Sequence, residues 1–576
     1  MEKYLPYSFA ACLLMACTPA WQPEPDDNGG KPDNGDQIYD TAWENFVHKT
    51  DKNILPDFSY AGYRHGEEAP TEIWDLGYRK YDVTDYGAVP DDDKSDRQAF
   101  LDAIDAAFSN SNKPSGKVWT TAGNGGTIYT PSKNRVNAII YFPAGNYILY
   151  DKETDAVLGK SQTIEIRGGN IVLAGAGRDR TSIEMKSAYE PLSGTYGDYA
   201  GDMLRFRHWT GYAEKADLAA DAFKGDFSVE LSSVSGLSSG QWVALTLGDA
   251  DAGSRGNNDP AVIAKTLAPF KLESRMTRLK DIGVIGVEVH QISSINGNTV
   301  KFREPLLRDV KASWGWKLST YSYYENVGVE DLSFIGHARP EFVHGQWTEN
   351  SEYGPLSFMR VLNSWVRRVG FHSVTSAISF ANSAYCSAYD ITIDGNRGHT
   401  AINAARSSRL FFGKTEDFSN AYGIKGAGQH HANGVSKWSN GTVIWNCEWG
   451  TDSNFESHAT QPRATLYDCC KGGFLRGHQG GADSELPNHL DDLVLWNFEA
   501  TNVGGGTDNW LWWGPETHWR FLPPSIVGFH GAEVHFNPDE VKLNESPGVP
   551  VEPLSLYEAQ LQLRLGYVPS WLIELE

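Results

Sequence analysis

The sequence predicts an all-β fold in which short strands stack as the coils of a parallel β-helix. After Val327, two series of apolar strands interleave along the chain, and each recurs mostly after 19 to 34 residues, about one coil of a solenoid. The 58 glycines among 576 residues suit the many tight turns that such coils need. An antiparallel sandwich would not keep two interleaved series at this spacing.

The repeating strands indicate which side chains face outward. The first series includes FMRV at 358–361, ISF at 378–380, INA at 402–404, VSK at 435–437, FESH at 455–458 and LRGH at 475–478. Side chains of a strand alternate between core and solvent, so the apolar members should point inward. The polar members should then form columns on the outer wall, because neighbouring strands lie about 4.8 Å apart.

The N-terminal part of the chain carries a characteristic succession of elements. Residues 81–107, YDVTDYGAVPDDDKSDRQAFLDAIDAA, predict a strand, an acidic turn and an amphipathic helix. A strand-turn-strand, IIYFPAGNYIL, follows at 139–149, and IEIRGGNIVLAGAG at 164–177 gives two more strands. This succession resembles the opening coils of the pectate-lyase-like superfamily. The resemblance implies a right-handed single-stranded parallel β-helix whose open N-terminal end is capped by the helix.

The same resemblance bears on function. It implies a protein that acts on a polysaccharide, although lyases, hydrolases, epimerases and phage tailspikes share this fold. Residues 452–468 (DSNFESHATQPRATLYD) and 555–566 (SLYEAQLQLRLG) resemble an uncharacterised branch of bacterial lipoproteins near the uronate polysaccharide lyases. That likeness favours lyase action on an anionic, ulvan-like polysaccharide. The calcium-site pattern of related lyases does not align here, so calcium stays open as a cofactor and the metal ligands are unknown.

The chain divides into six predicted segments. They are a lipoprotein signal peptide (1–17), a flexible tether (18–40), an N-terminal cap with the first coils (41–222), a β-rich, barrel-like insertion (223–320), the main coils with the active groove (321–540) and a C-terminal helical cap (541–576). The leader ends in LMAC at 14–17, a lipobox that predicts lipidation of Cys17. We expect an outer-membrane lipoprotein that faces the cell surface or periplasm and touches the membrane only through this anchor.

The charge of the chain indicates which kinds of partner it can bind. A formal net charge of −23 argues against nucleic acid as a partner. Residues 421–480 run against that trend, because their Lys and Arg outnumber their Asp and Glu, and they hold four of the chain's 16 histidines. Such a locally basic surface suits an anionic polysaccharide.

The residue types in this segment fit β-elimination. The reaction needs a group that neutralises the uronate carboxylate, a base that removes the C5 proton and an acid that protonates the leaving oxygen. His458 is the predicted base, and Arg476 or Arg463 is the predicted neutraliser. His431 is predicted to be a second proton-transfer or carboxylate-binding group.

Substrate contacts are predicted from the same outward columns. Stacking by the apolar positions places Glu456 beside Arg476 and His458 beside His478, with Trp438 one coil away. The predicted substrate-binding residues are His430, Glu456, His478, Lys437, Arg360, Asn403 and Trp438.

Two other functions fit the same fold. A glycoside hydrolase would use paired carboxylates, here Asp452 with Glu456, or Glu456 with Asp468 on the neighbouring coil. A non-catalytic surface glycan-binding protein would use exposed tryptophans as platforms, with candidates Trp438, Trp445, Trp496, Trp510, Trp512 and Trp513. Crowded histidine and arginine favour the lyase, because a hydrolase does not need a basic subsite.

Overall fold

The computed structural model describes residues 39–575, except 117–119, 122–127, 130–132, 156–162, 190–201, 346–351, 477, 506–507, 515–516 and 518. The chain forms two units, Met1–Asp40 and Thr41–Glu576. The predicted signal peptide at 1–17, its Cys17 and nearly all of the predicted tether at 18–40 lie outside the described residues. Among the helices of the described part, none has the length and apolar character that a membrane crossing requires.

Stacked parallel strands form the body, and the predicted all-β parallel β-helix is confirmed. In the described residues, sheet 1 contains β2 (Thr120–Thr121), β3 (Ile128–Tyr129), β6 (Ile164–Ile166), β9 (Leu204–Arg207), β18 (Leu356–Met359), β21 (Ser376–Ala381), β23 (Thr400–Ala405), β25 (His431–Ser436) and β28 (Asn454–His458). From β3 to β28 every pairing in sheet 1 is parallel.

The other walls of each coil belong to a second, larger parallel sheet. In the described residues, sheet 2 contains β1 (Arg79–Asp82), β4 (Ala138–Phe142), β5 (Gly145–Tyr150), β7 (Ile171–Gly175), β8 (Thr181–Met185), β17 (Val327–Ile335), β20 (Trp365–His372), β22 (Ser387–Asp394), β24 (Phe411–Asp417), β26 (Asn440–Trp445), β27 (Glu448–Trp449), β29 (Arg463–Asp468), β30 (Lys471–Gly473), β31 (Leu493–Trp496), β32 (Glu499–Asn502), β33 (Ser525–Val527), β34 (His530–Gly531) and β35 (Leu543–Glu545). A short parallel pair is formed by β16 (Tyr324–Glu325) and β19 (Val361–Leu362). In the sequence, β19 stands between β18 of sheet 1 and β20 of sheet 2.

The helices of the described residues are short. The described helices are α1 (Ala42–Val47), α2 (Arg97–Ser109), α3 (Lys152–Asp155), α4 (Pro260–Leu267), α5 (Thr277–Asp281), α6 (Leu556–Leu565) and α7 (Ser570–Ile573). Short 3₁₀ segments occur at Tyr63–Gly66, Ile73–Asp75, Val83–Tyr86, Ala312–Trp314, Asp483–Glu485 and Pro538–Glu540. Helix α2 buries Phe100 and Ile104 against the first coils, and the Phe100 ring lies 5.6 Å from that of Phe142.

Identical positions on successive coils stack inside the solenoid. The rings of Phe206 and Phe358 stack at 5.4 Å, and Phe358 stacks on Phe380 at 4.9 Å. Offset aromatic stacks of this kind contribute about 0.5–1.5 kcal/mol each beyond the area that they bury. The stacks fix the register of the strands, and with it the alignment of the outward-facing residues.

An antiparallel sheet interrupts the coils between β9 and β16. In the described residues its strands are β10 (Ala213–Asp217), β11 (Ser228–Glu230), β12 (Trp242–Leu247), β13 (Gly286–Asn296), β14 (Thr299–Phe302) and β15 (Lys317–Thr320). The sheet begins at Ala213, before the predicted boundary at 223. Trp242 and Val289 of this insertion pack on Tyr385 and Trp438 of the coils, so one wall of the solenoid is covered.

The C-terminal helix folds back along the side of the coils. Leu556, Tyr557 and Leu561 of α6 pack against Trp445 and Trp496, which lie on sheet 2. Ser555 caps the helix N-terminus, and Gly566 at φ 84° ends it in the left-handed conformation that glycine tolerates best. This helix therefore stabilises the flank of several coils at once.

Asp468 connects this helix to the solenoid. Its buried carboxylate accepts hydrogen bonds from Ser555 Oγ at 2.7 Å, Leu556 N at 3.0 Å and Tyr557 N at 2.8 Å. Asp468 aligns with Trp445 and Trp496 on the neighbouring strands of sheet 2, far along each coil from sheet 1. Its role is to hold α6 in place.

We expect Asp468→Ala to lower the free energy of unfolding by about 2–4 kcal/mol, because it leaves buried N–H groups of α6 without their acceptor. Chemical denaturation monitored by circular dichroism measures this change. Asp394→Ala, a change to an exposed aspartate on β22, is the matched control and should stay within about 0.5 kcal/mol of wild type. Equal stability of the two variants would contradict the assigned role.

Candidate functional site

The outer face of sheet 1 carries two straight columns of side chains, which we call the groove face. One column follows the paired positions Arg205, Ser357, Ser379, Asn403, Gly434 and Glu456. The other follows Arg207, Met359, Ala381, Ala405, Ser436 and His458. At about 4.8 Å per strand, each column extends over about 24 Å. Small side chains line the middle, and charged or ring side chains stand at both ends.

A group of histidines surrounds Glu456 at the C-terminal end of the groove face. We call it the histidine cluster, and its members are His344, His399, His430, His431, His458 and His478. His399 directly precedes β23, His430 directly precedes β25 and His431 is its first residue, so the stacking of these strands brings the rings together. The ring centroids of His430 and His478 lie 4.3 Å apart, and those of His399 and His431 lie 4.9 Å apart.

Glu456 and His458 form a hydrogen-bonded dyad on β28. His458 Nδ1 lies 2.7 Å from Glu456 Oε1. Burial would raise the pKa of Glu456, but attraction to His458, the hydrogen bond from its ring and the nearby His399 hold that pKa below its ordinary value. Burial would lower the pKa of His458, yet attraction to Glu456 and the same hydrogen bond raise it above its ordinary value. The dyad therefore holds a proton on His458 more firmly than an isolated histidine does.

The other histidines of the cluster have the opposite character. Burial lowers the pKa of His399 to about 4 and that of His430 to about 2, and it lowers the pKa of His431 well below its ordinary value. The mutual repulsion of neighbouring histidines adds to the lowering in each case. These rings are neutral near pH 7, and neutral imidazole is the form that accepts a proton or binds a metal.

His431 is held in one orientation. Its Nδ1 lies 2.8 Å from the carbonyl oxygen of His478, so Nδ1 carries the proton and donates it to that oxygen. Nε2 is then the basic nitrogen, and it lies 3.5 Å from Glu456 Oε1. Glu456 also contacts Asn403, whose Nδ2 lies 3.5 Å from Oε2.

Basic residues stand at the end of the strands, one position beyond the second column. Lys437 follows β25, and its backbone N–H donates to the carbonyl of His458 at 3.2 Å. Burial lowers the pKa of Lys437, and Glu485, with an oxygen 3.9 Å from Nζ, opposes this effect. Arg406 takes the same place on the neighbouring coil, and both residues have positive φ values, 55° and 57°. They give this end of the groove face a positive rim.

The sequence placed several of these residues correctly. His430, His431, Glu456, His458 and His478 do come together, and Asn403 and Lys437 lie beside them. The outward orientation of Glu456 and His458 is also as expected, because Phe455 and Ser457 point into the interior.

Both predicted neutralising arginines lie elsewhere. Arg476 is exposed, donates to the carbonyl of Asn509 at 3.1 Å and covers the ring of Trp510. Arg463 is buried on β29 of sheet 2, with Nη1 3.9 Å from Asp491. Both predictions were wrong, because Arg476 turns towards Asn509 and Trp510, and Arg463 lies on a different wall of the coil.

Two predicted substrate contacts are structural residues. Trp438 is buried under the insertion, where its Nε1 donates to the carbonyl of Ala250 at 2.9 Å. Arg360 is also buried, pairs with Asp251 of the insertion and covers the ring of Tyr212 at 4.3 Å. The insertion covers this wall of the solenoid, and the sequence of the coils alone gives no sign of that cover.

The predicted register failed at more than one step, since Ser357, and not Arg360, pairs with Ser379. Ser436 pairs with His458, and not Trp438 as the apolar pattern suggested, because the pairing of β25 with β28 contains an irregularity between His431 and Gly434. Ser457 takes an inward position that the pattern reserves for an apolar residue, and its hydroxyl donates to the carbonyl of Asn488 at 2.9 Å.

Sequence reasoning missed residues at both ends of the groove face. His399 and His344 belong to the histidine cluster, and the recurrence of a histidine just before β23 and at the start of β25 was the available signal for His399. At the other end, Trp209 is 49% exposed, and the guanidinium of Arg207 lies 3.3 Å from its ring centroid. Arg167 covers the same ring at 4.7 Å.

Two family models match parts of the chain. Residues 81–215 match "Rhamnogalacturonase A/epimerase, pectate lyase-like", and residues 428–575 match "Domain of unknown function (DUF4955)". No curated protein sequence matches this chain. The first match and the stacked coils confirm the resemblance to the right-handed parallel β-helix proteins of the pectate-lyase-like superfamily. They support a protein that acts on polysaccharide and leave the type of reaction open.

Solved structures with a similar chain path are distant in sequence. The tailspike protein gp49 from Pseudomonas phage LKA1 is 12% identical, with a TM-score of 0.43 over 81% of this chain and 79% of that chain. The A-module of mannuronan C-5 epimerase AlgE6 from Azotobacter vinelandii is 10% identical, with a TM-score of 0.29 over 82% and 100%. PfbA, a surface adhesin of Streptococcus pneumoniae, is 11% identical, with a TM-score of 0.32 over 81% and 79%. The function is therefore argued from the residues themselves.

The dyad makes a testable electrostatic prediction. Glu456→Gln removes the carboxylate that raises the pKa of His458, while the burial that lowers it remains, so the pKa of His458 should fall below its ordinary value. A nuclear magnetic resonance titration of the His458 ring measures this shift. Glu416→Gln, on an exposed position of β24, should leave the titration unchanged. A His458 pKa that stays elevated in the Glu456→Gln variant would refute the pairing.

Proposed function

We propose that this protein is a polysaccharide lyase that cleaves a uronate-containing polysaccharide by β-elimination. The observation that carries the proposal is the Glu456–His458 dyad on the groove face, in which Glu456 is buried and His458 is partly exposed beside a positive rim. Histidine is a suitable proton-transfer group at neutral pH, and a carboxylate on Nδ1 orients its ring and leaves Nε2 free to react.

The chemistry assigns one role to each group. In the unprotonated dyad, His458 Nε2 removes the C5 proton of the uronate, and the electron pair released at C5 forms the C4–C5 double bond. The bond between C4 and the leaving oxygen breaks, and protonated His458 returns the proton to that oxygen. Glu456 stabilises the imidazolium that forms between these steps. The positive charge of Lys437 attracts the uronate carboxylate and so acidifies C5.

Gly481 permits this geometry. A side chain at position 481 would come within 2.6 Å of His458 Nε2, so the chain can pack this closely against the His458 ring only with glycine at 481.

The far end of the groove face supports an extended anionic substrate. Arg205 and Arg207 lie in the same columns as Glu456 and His458, about 24 Å away. Trp209 offers an exposed ring beside them, and a ring of this kind stacks on sugar faces while the arginines pair with carboxylates. A chain with a net charge of −23 that keeps cations at both ends of one groove suits an anionic polymer, and ulvan-like polysaccharides are the first class to test.

The hydrolase alternative has less support. Asp452 is tied to Arg397, with Oδ2 2.7 Å from Nη1, and Asp468 is buried under α6, so neither is a free partner for Glu456. Glu485, with an oxygen 3.9 Å from Lys437 Nζ, is a further carboxylate that a hydrolase could use.

The glycan-binding alternative loses most of its predicted platforms. Trp438, Trp445, Trp496, Trp510 and Trp512 are all buried. Trp513 is partly buried and stacks on Phe270 of the insertion at 4.5 Å. Trp209, at the far end of the groove face, is an exposed tryptophan that the sequence analysis did not select.

We also propose that the protein acts at the outer membrane, facing the cell surface or the periplasm. The proposed anchor is lipid on Cys17, at the end of the LMAC motif, and the chain at 18–40 would tether the β-helix to it. Globomycin treatment of expressing cells, with Cys17→Ser as the control, tests this proposal by the size and membrane partitioning of the product.

The proposed reaction is tested on a panel of uronate polysaccharides by the ultraviolet absorbance of the unsaturated product. His458→Ala should lower the rate by roughly 10²–10⁴-fold, because it removes the base and the proton donor together. His372→Ala, an exposed histidine on β20 paired with Asp394, is the matched control. New reducing ends without ultraviolet absorbance would indicate hydrolysis instead, and full elimination by His458→Ala would refute the assigned base.

The far subsite makes a separate prediction. Trp209→Ala should raise KM for long polymers by about tenfold, and it should leave kcat and the cleavage of the shortest substrates unchanged, since these do not reach Trp209. Trp74→Ala, an exposed tryptophan away from the groove face, is the control. An equal effect of Trp209→Ala on short and long substrates would contradict a remote subsite.

A further inference from the structure

Part of the histidine cluster has the arrangement of a metal site. His344, His399 and His431 each offer one ring nitrogen, and these atoms all lie within 4.8 Å of one another. Three nitrogen ligands around a tetrahedral ion with bonds of about 2.0–2.1 Å stand about 3.4 Å apart. Small rotations of the rings, above all of the exposed His344, would bring the three nitrogens from their present spacing to the spacing that the ion requires.

The surroundings of these three histidines favour one type of ion. His431 donates Nδ1–H to the carbonyl of His478, the outer-shell contact that fixes a metal-binding histidine in the Nε2 tautomer. His399 Nδ1 lies 3.3 Å from Thr400 Oγ1, which leaves Nε2 of that ring for a ligand bond. Imidazole nitrogens suit zinc and other late transition metals, whereas calcium requires oxygen ligands.

We propose that His344, His399 and His431 bind one divalent transition-metal ion of the zinc class, with a fourth position open to an outside ligand. Sites with three protein ligands and an open position are the catalytic type, and closed sites with four ligands are structural. Glu456, with Oε1 3.5 Å from His431 Nε2, adds the negative charge that attracts a dication. The exposure of His344 gives the ion and its fourth ligand a route from solvent.

The open position suits a carboxylate. This second part rests on the proposed function, because the carboxylate would be that of the uronate next to the cleaved bond. An ion at this point would take the neutralising role that the sequence had given to Arg476 or Arg463. It would act as a Lewis acid beside the Glu456–His458 dyad, with Lys437 as the second positive charge at the substrate.

Zinc titration of the chelator-treated full-length protein tests the site itself. Isothermal calorimetry should give one Zn²⁺ per chain, and His399→Ala should weaken binding by roughly 100-fold or more. His344→Ala should also weaken zinc binding, and because His344 is exposed, we expect this variant to fold normally. His535→Ala, an exposed histidine away from the cluster, is the control and should bind as wild type does. Absence of zinc binding by wild type, or unchanged affinity in both cluster variants, would overturn the proposal.

Cobalt spectroscopy tests the open position without relying on elimination. Glucuronate should change the visible absorption of the Co²⁺-loaded protein, and neutral glucose should leave it unchanged. Zinc binding without unsaturated product from any uronate polymer would keep the metal site and refute the lyase. Elimination at the full rate by metal-free protein would keep the lyase and refute the metal's part in it.

Discussion

The site depends on the parallel backbone pairing of β23, β25 and β28. These strands are separated in the chain by loops of unequal length, yet their hydrogen bonds place His399, His431 and Glu456 on neighbouring coils. The backbone N–H of His431 donates to the carbonyl of His399 at 2.7 Å, so the two rings leave the solenoid side by side. Any slip of this register would separate the cluster.

Burying this many ionisable groups in one place is costly unless most of them lose their charge. The cluster meets this requirement by keeping His399, His430 and His431 neutral and by pairing the one raised histidine, His458, with Glu456. The result is one ion pair beside a set of neutral nitrogen donors. Proton transfer and metal binding are both open to such an arrangement, and the two can operate next to each other without competing for the same ring.

Much of the fold could be predicted from the sequence, because apolar periodicity reports directly on which residues face the core. The alternation at 455–458 gave the correct outward side for Glu456 and His458. The pairing partners were harder to predict. An irregularity in β25 and the buried hydroxyl of Ser457 shifted the register by two residues, and no pattern of apolar residues encodes either feature.

The pattern of apolar residues does not predict contacts between segments that are distant in the chain. Trp438 and Arg360 are buried by the insertion. Asp468 accepts hydrogen bonds from the start of α6, which begins almost ninety residues later in the chain. His344 reaches the cluster from the connection between β17 and β18, where no repeat marks its position. Residues that belong to the solenoid alone were therefore predicted better than those covered by additions to it.

The proposed binding of a uronate polymer along the groove face is tested most directly by a crystal structure of the His458→Ala variant with a bound uronate oligosaccharide. We expect a sugar chain along the groove face, with one carboxylate at the histidine cluster beside Lys437 and the chain directed towards Trp209. An oligosaccharide bound on another wall of the solenoid, or one that leaves the cluster untouched, would contradict it.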